Sequence, residues 1–299
     1  MEFGKLENIE NVDFSLAPLS ERSLAVLGGK AAEKLAVYVG CPVWGVAEWN
    51  GKIYPKGTKA ADYLYHYSRQ FATIELNVTH YRTPNDATLH NWKHSTAKDF
   101  LFCPKFPQEI SHYYKLYNCQ EKTDYFLGQV AKLGEKLGCM FIQLAPTFGI
   151  SSLPILTDFL AKLPEHLPLA IEFRHPSWFA AQKLDDRACD LLESFDVATV
   201  ITDVAGRRDV SHANLTNATA MIRFVGNELH TSDYQRIDEW VERIFVWKKQ
   251  GLEKLYFFAH EPDNSLAPTI ADYFLEKLNA KLELSVKRPT FLNEGLTLF

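Results

Sequence analysis

The sequence predicts an α/β protein, a single domain built as a (β/α)8 barrel of the TIM type. It contains eight short apolar runs rich in β-branched and aromatic residues, most of them followed by a helix-like stretch, and its 299 residues suit one barrel domain. The runs start 23 to 40 residues apart, which favours parallel strands because a parallel return needs a dozen or more residues. The strands are expected at 36–40, 71–77, 100–106, 140–145, 169–174, 198–203, 221–225 and 254–260.

Helices are expected in most of the intervening segments, and several of their ends carry chemical signals. Pro84 suits a first helical turn, Asp185 can cap the amide groups after it, and Gly138 can end a helix before the fourth strand. Only the segment between the sixth and seventh strands is too short for a full helix. An open, doubly wound sheet is the competing architecture, but eight evenly spaced strands favour closure. The predicted helices are 59–70, 84–97, 121–137, 152–163, 185–195, 233–249 and 267–277.

The barrel domain is expected to span residues 36–283, between an N-terminal extension and a C-terminal tail. The extension, residues 1–35, contains Gly28-Gly29, which indicates a turn or hinge before the first strand. The tail, residues 284–299, is apolar enough to pack on the barrel or on a partner.

Composition argues against several classes of function. With a net charge of -5 and a pI near 6.1, the surface as a whole repels polyanions, which leaves only a local basic groove for nucleic acid. No secretory signal is visible, and no apolar run approaches the roughly 20 residues that cross a bilayer, so no membrane partner is expected. Five scattered cysteines without C-x-x-C spacing indicate reduced thiols in a cytoplasmic protein.

Polar side chains gather at the carboxyl ends of the predicted strands. Residues two apart in a strand share a face, so the side chains that point into the barrel can be inferred from the last residues of each strand. Burying many charges costs several kcal/mol per ion unless they pair, and barrel enzymes keep their chemistry at these ends. The candidate site residues are Glu75, Asn77, Lys105, Gln143, Glu172, Arg174, Asp203, Arg223 and His260.

Two interpretations fit this set: a structural ion-pair network that plugs the barrel, or a ligand site. The convergence of acids and cations from distant strands favours the ligand site. Lys105, Arg174 and Arg223 would hold a phosphate or carboxylate, with the arginines suited to bidentate contact. A carboxylate of the set, from Glu75, Glu172 or Asp203, would act as general acid or base, with Asn77 and Gln143 binding substrate.

A metal site is the alternative use of the same donors. The carboxylates and His260 offer the oxygen and nitrogen atoms that divalent ions bind. Nearby lysine and arginine side chains disfavour a cation, so no metal or other cofactor is expected. His260, or His175 just beyond the fifth strand, would instead carry a proton near neutral pH, unless it is a hydrogen-bonded structural residue.

Aromatic residues gather in the loops after the first two strands. They are expected either to stack on a ring, base or sugar of a ligand or to form a packed lid over the barrel mouth. They are Trp44, Trp49, Tyr54, His80 and Tyr81.

A series of motifs runs along nearly the whole chain after residue 36. They are Gly40 with Trp44, Trp49-Asn50-Gly51, Ile53-Tyr54-Pro55, Glu75-Leu76-Asn77, Tyr81-Arg82-Thr83-Pro84, Lys105 with Ile110-Ser111-His112, Gln143-Leu144-Ala145-Pro146-Thr147-Phe148, Glu172-Phe173-Arg174-His175-Pro176-Ser177-Trp178, Asp203, and Arg223 before Gly226. Together they resemble the family known as domain of unknown function 72, also called YecE-like. The resemblance implies a (β/α)8 barrel of unestablished activity, similar to the barrels of sugar isomerases and abasic-site endonucleases.

The sequence therefore predicts an enzyme that performs acid-base chemistry, as a hydrolase, lyase or isomerase, on a small anionic substrate. Glu172 or Glu75 would carry the proton. One alternative is a nucleic-acid binding or processing module that stacks bases on Trp44, Trp49 and Tyr81. Another is a non-catalytic sensor that binds a ligand in the same pocket.

Overall fold

The computed structural model describes residues 3–292, and all eight predicted strands are present in it. The first, sixth and eighth have the predicted bounds, whereas the others differ by one or two residues at an end. A two-stranded antiparallel hairpin, β6 and β7, was not predicted. The strands are β1 Ala36–Gly40, β2 Thr73–Leu76, β3 Leu101–Pro104, β4 Met140–Gln143, β5 Leu169–Glu172, β6 Phe179–Ala180, β7 Lys183–Leu184, β8 Ala198–Asp203, β9 Thr219–Val225 and β10 Lys254–His260.

The main strands pair in parallel. Six of them form one sheet in the order β1-β10-β9-β8-β5-β4, and β2 and β3 form a separate parallel pair. Backbone hydrogen bonds also connect the segments next to this pair with the two edge strands of the larger sheet. Ala72 N, before β2, donates to Val39 O of β1 at 3.2 Å, and Phe106 N, after β3, donates to Phe141 O of β4 at 2.9 Å. The protein is thus a mixed α/β single domain with a mainly parallel central sheet.

Helices follow most strands, as predicted, although the predicted ends are not all correct. Asp185 caps its helix by accepting the Arg187 N–H at 3.0 Å, as expected. The predicted helix 121–137 is wrong in its second half, because the α-helix ends at Val130 and the chain continues as a 3-10 helix, Ala131–Lys136. The helices are α1 Glu21–Leu27, α2 Tyr63–Gln70, α3 Val78–Tyr81, α4 Asp86–Ser95, α5 Gln120–Val130, α6 Leu153–Leu160, α7 Asp186–Ser194, α8 Thr231–Gln250 and α9 Ala267–Leu282.

Short 3-10 or π-helical turns occupy several of the remaining connections. The segment between β8 and β9 holds one such turn in place of a full helix, as predicted. The turns are Ala47–Trp49, Ala60–Asp62, Glu109–Tyr113, Ala131–Lys136, Ile150–Ser152, Pro176–Trp178 and Arg208–Val210.

Residues before Leu35 and after Glu283 contact the part of the chain between them. The helix α1 in the extension was not predicted, and Gly28 ends it with a φ of +78°, in agreement with the predicted turn. In the tail, Leu292 N donates to Lys52 O at 2.6 Å. The final residues, 293–299, with the apolar Gly-Leu-Thr-Leu-Phe ending, lie outside the described residues.

Buried apolar side chains occupy both faces of the strands. Consecutive residues such as Phe141 and Ile142 belong to different clusters, since successive strand residues point to opposite faces. Phe141 packs with Met221 and Phe258 in a cluster to which β3, β4, β5, β8, β9 and β10 all contribute. This cluster forms the floor of the site described below, because the Arg223 guanidinium lies 5.7 Å from the centre of the Phe141 ring.

Two further findings concern the class of protein. Among residues 3–292, no helix combines the length and the apolar character needed to cross a membrane. All five cysteines are buried and free of disulfide bonds.

Candidate functional site

Arg223 of β9 lies at the centre of a buried group of charges at the carboxyl ends of the strands. Its Nε and Nη2 donate to the two oxygens of Glu75, from β2, at 2.9 and 2.7 Å. Its Nη1 donates to both oxygens of Glu172, from β5, at 3.0 Å. All three side chains are at most 2% exposed, so one guanidinium joins two carboxylates from distant parts of the chain.

Glu172 receives two further donors. Arg174 Nη2 lies 2.5 Å from Glu172 Oε1, and Thr202 of β8 donates its hydroxyl to the same oxygen at 2.6 Å. Thr202 is directly opposite Arg223 in the parallel register, so both side chains point to the same face. Burial alone would raise the pKa of Glu172, but Arg174 and Arg223 outweigh that effect and lower it to about 2.

Glu75 is held in the same way. Asn77 Nδ2 donates to Glu75 Oε1 at 2.8 Å, and His260 Nε2, at the end of β10, lies 2.8 Å from Glu75 Oε2. Burial would raise the pKa of Glu75, but the charge of Arg223 and the hydrogen bond from His260 hold it well below its usual range. Burial in turn lowers the pKa of His260, against the attraction of Glu75. The ionised carboxylate can only accept, so a neutral His260 is the donor between them.

Lys105 lies beside these groups with a neutral partner. Its Nζ donates to Gln143 Oε1 at 2.9 Å, and the same oxygen accepts from Arg174 Nη2 at 3.2 Å. Gln143 is opposite Glu172 in the register of β4 and β5, which places it within reach of both cations. Burial, followed by the charge of Arg223, lowers the pKa of Lys105 to about 8. We call these residues the charged cluster: Glu75, Asn77, Lys105, Gln143, Glu172, Arg174, Thr202, Arg223 and His260.

The charged cluster carries an excess of positive charge. At neutral pH its two carboxylates stay ionised because their pKa values are depressed, and its Lys and two Arg side chains are cations. With His260 neutral, three positive charges face two negative ones.

Two histidines adjoin Lys105: His80, which was predicted as one of the aromatic residues after the second strand, and His112. His80 Nδ1 bonds to Phe106 O at 2.8 Å, and the rings of His80 and His112 are 5.1 Å apart. Burial and the charge of Lys105 lower both pKa values, that of His80 to about 4. His112 belonged to the Ile110-Ser111-His112 motif, so a signal for it was present in the sequence.

The prediction that Asp203 joins this group is wrong. Asp203 accepts from Trp240 Nε1 of α8 at 2.7 Å and forms an ion pair with Arg208, so its carboxylate faces a helix on the other side of the strand. Thr202, one residue earlier, takes the place in the cluster. The pKa of Asp203 is lowered because Arg236 and Arg208 outweigh burial.

Most of the predicted aromatic platform is packed inside the protein. Trp49 is fully buried and donates Nε1 to Asn264 O at 3.1 Å, and Tyr54 is buried against it. Trp44 packs edge-on against Trp92 at 6.0 Å. Only Tyr81 of the stacking residues is open, with 74% of its surface exposed. Stacking of bases on Trp49 is therefore excluded in this structure.

His175 is used in a local cap. Its Nδ1 accepts the Ser177 N–H at 3.1 Å and lies 2.8 Å from Ser177 Oγ, at the start of the turn Pro176–Trp178. His175 therefore uses Nδ1 in a contact outside the charged cluster, whereas the preceding residue, Arg174, belongs to the cluster.

The N-terminal extension covers the cluster at Arg174. The Phe3 ring lies 3.5 Å from the Arg174 guanidinium carbon and 5.1 Å from that of Arg207. Gly4 O accepts the Gly206 N–H at 2.8 Å, which fixes the chain beside Phe3. Nothing in the sequence indicated this long-range contact.

Metal binding was the alternative use of these carboxylates. Within the described range 3–292, no three His, Cys, Asp or Glu side chains are grouped so as to hold a metal ion. The oxygens of Glu75 and Glu172 face guanidinium groups, which repel a cation.

Fold and site together define an α/β protein that gathers a net cationic set of side chains at the carboxyl ends of parallel strands. A family model described as "Protein of unknown function DUF72" matches residues 38–292. The chain therefore belongs to the DUF72 family, and the predicted resemblance is confirmed. The activity of this family is not established.

Curated and solved relatives agree with this assignment. The UPF0759 protein YecE of Escherichia coli (strain K12) is 30% identical over 264 residues, which cover 82% of this chain and 94% of that protein. A DUF72 family protein from Enterococcus faecalis aligns with a TM-score of 0.65 at 20% identity, over 87% of this chain and 98% of that one. One from Thermotoga maritima aligns with a TM-score of 0.62 at 23% identity, over 83% and 100%.

Proposed function

We propose that the eight parallel strands close into a (β/α)8 barrel with the charged cluster at its mouth. The hydrogen bonds of Ala72 with Val39 and of Phe106 with Phe141 support closure, because they lie where the β2-β3 pair meets the two edges of the larger sheet. A closed barrel leaves no exposed strand edge and fills its interior with side chains, as the Phe141 cluster does.

The barrel mouth binds a small anion. The single observation that carries this proposal is Lys105, which is 7% exposed and whose ammonium group donates to a neutral amide in a cluster with excess positive charge. A buried cation without a compensating anion is costly, so a bound phosphate or carboxylate group would stabilise it. Arg174 Nε is also buried, and among residues 3–292 it has no hydrogen-bond partner.

Lys105 is the proton carrier that the geometry supports best, in place of Glu172 or Glu75. Both carboxylates are engaged by Arg223, so they remain ionised and position the arginine. Lys105, with a pKa of about 8, exchanges a proton near neutral pH. The function we propose is acid-base chemistry, as a hydrolase, lyase or isomerase, on a small phosphorylated or carboxylated compound.

Other candidate functions receive less support. A nucleic-acid module would need an exposed stacking platform, but Trp49 is fully buried and Trp44 is half-buried against Trp92. A non-catalytic sensor would use the same anion site. It differs from the enzyme only in leaving the compound unchanged. Nuclear magnetic resonance of a mixture of phosphorylated and carboxylated metabolites, recorded with and without the protein, distinguishes the two, because only an enzyme changes the signals of its substrate.

Lys105→Met tests the anion site. We expect the wild-type protein to bind sulfate in isothermal titration at pH 7, and Lys105→Met to lose at least about tenfold in affinity because a charge-assisted contact is removed. Lys254→Met is the matched control, since Lys254 is exposed at the opposite, amino end of β10. Equal sulfate binding by wild type and Lys105→Met would overturn the proposal.

A further inference from the structure

We propose that a second site, a cleft next to the charged cluster, binds the ammonium group of an aliphatic amine through Glu261. The cleft of about 680 Å³ lies between the extension and the loops after β9 and β10. Small-molecule sites range over roughly 300–1,000 Å³, so its size suits such a ligand. This inference does not depend on anion binding by Lys105.

Glu261 contributes to the wall of the cleft as a carboxylate that forms no ion pair with any of residues 3–292. It is 2% exposed, and its Oε2 accepts the Glu228 N–H at 3.0 Å. Its Oε1 has no hydrogen-bond partner within the described part of the chain, 3–292. The nearby cation Arg236 is used elsewhere, in an ion pair with Asp233 at 2.6 Å.

A buried carboxylate in this condition needs a cation or a proton. Leaving an ionised group unpaired inside a protein costs several kcal/mol, and an unsatisfied buried oxygen adds to that cost. Burial, followed by the charge of Asp233, raises the pKa of Glu261 to about 7. Near neutral pH the group is therefore ready to ionise when a cation arrives.

The remaining walls indicate which kind of cation fits. Ile9, Val204, Val225 and Pro262 supply apolar surface. Glu7 and Glu228 add two carboxylates to that of Glu261, against the single lysine of the lining, Lys5. An alkyl chain would pack on the apolar side chains while its ammonium groups meet the carboxylates. A metal ion fits less well, because within residues 3–292 no three metal-ligating side chains are grouped.

The charge balance around Glu261 also predicts how binding depends on pH. Because only the ionised carboxylate attracts an ammonium group, affinity should rise as pH rises through about 7. The charged and titratable groups that surround Glu261 are Glu228, His230, Asp233 and Arg236 on the β9 side, Asp263 after β10, and Lys5 and Glu7 in the extension.

The test is isothermal titration of the full-length protein with cadaverine, a five-carbon diamine that stays doubly charged between pH 6 and 8.5. We expect binding that is at least about fivefold tighter at pH 8.5 than at pH 6, and a loss of at least about tenfold in Glu261→Gln. The uncharged 1,5-pentanediol should not bind. Glu253→Gln is the control, because Glu253 is exposed at the opposite end of β10.

Each contrary result overturns the amine site. These results are no cadaverine binding, equal binding by Glu261→Gln, equal binding of pentanediol, and saturable binding of calcium in place of the diamine. If Glu261→Gln does not fold, Ile9→Trp narrows the cleft from the extension and must weaken cadaverine binding. Sulfate binding, measured in parallel, separates a failure of this site from a failure of the anion site.

Discussion

Arg223→Met is expected to lower the free energy of unfolding by about 3–5 kcal/mol. The guanidinium of Arg223 donates to both oxygens of Glu75 and both oxygens of Glu172, and neither carboxylate is more than 1% exposed. Removing one partner of a buried ion pair costs this much because the other charge is left uncompensated. Urea unfolding followed by circular dichroism measures the change.

Two further variants show whether the loss comes from the unpaired carboxylates. Arg187→Met removes an ion pair with Asp185 in which the arginine is largely exposed, so it should cost far less than Arg223→Met. Adding Glu75→Gln to Arg223→Met removes one of the two uncompensated carboxylates and should recover part of the free energy of unfolding. A loss below about 1 kcal/mol in Arg223→Met would show that the buried network is not as tightly coupled as its distances indicate.

Gly40→Ala is expected to destabilise the protein by about 3 kcal/mol or more. A Cβ at position 40 would lie 2.0 Å from Thr73 O and 2.7 Å from its carbonyl carbon, so the backbones of β1 and β2 would have to separate. Overpacking usually costs about 1–3 kcal/mol, and a clash with backbone atoms is harder to relieve than one with a flexible side chain. The midpoint of thermal unfolding reports the change.

Gly45→Ala provides the comparison for this substitution. Apart from Gly45 and its two chain neighbours, no heavy atom of residues 3–292 lies within 4 Å of a Cβ built at Gly45, so stability should change by no more than about 0.5 kcal/mol. If Gly40→Ala were as stable as Gly45→Ala, β1 and β2 would not lie as close as the structure has them, and the proposed barrel would lose one of its contacts.

Strand periodicity was sufficient to predict much of the site. Glu75, Gln143, Glu172 and Arg223 were identified from their position near the ends of apolar runs, and the structure brings them together because parallel neighbours stay in register. The error at Asp203 has a physical cause. Every residue of β8 is buried, so alternation of polar and apolar residues does not reveal which face points to the cluster.

Contacts between distant segments could not be predicted. Trp49 is buried because Asn264 and Ser265, over 200 residues later, accept its indole N–H. Phe3 covers Arg174 although the extension lies outside the segment that the family model matches. Local sequence patterns carry no information about such long-range contacts. The spacing of polar residues within one strand, in contrast, indicates which side chains share a face.

The pH dependence of sulfate binding tests the central claim, that Lys105 supplies the uncompensated charge of an anion site. Sulfate keeps its charge from pH 7 to 9, whereas Lys105, with a pKa of about 8, is mostly protonated at pH 7 and mostly neutral at pH 9. The account predicts that affinity falls about fivefold to tenfold over this range in the wild type and stays constant in Lys105→Met. Affinity that is independent of pH in the wild-type protein would contradict it.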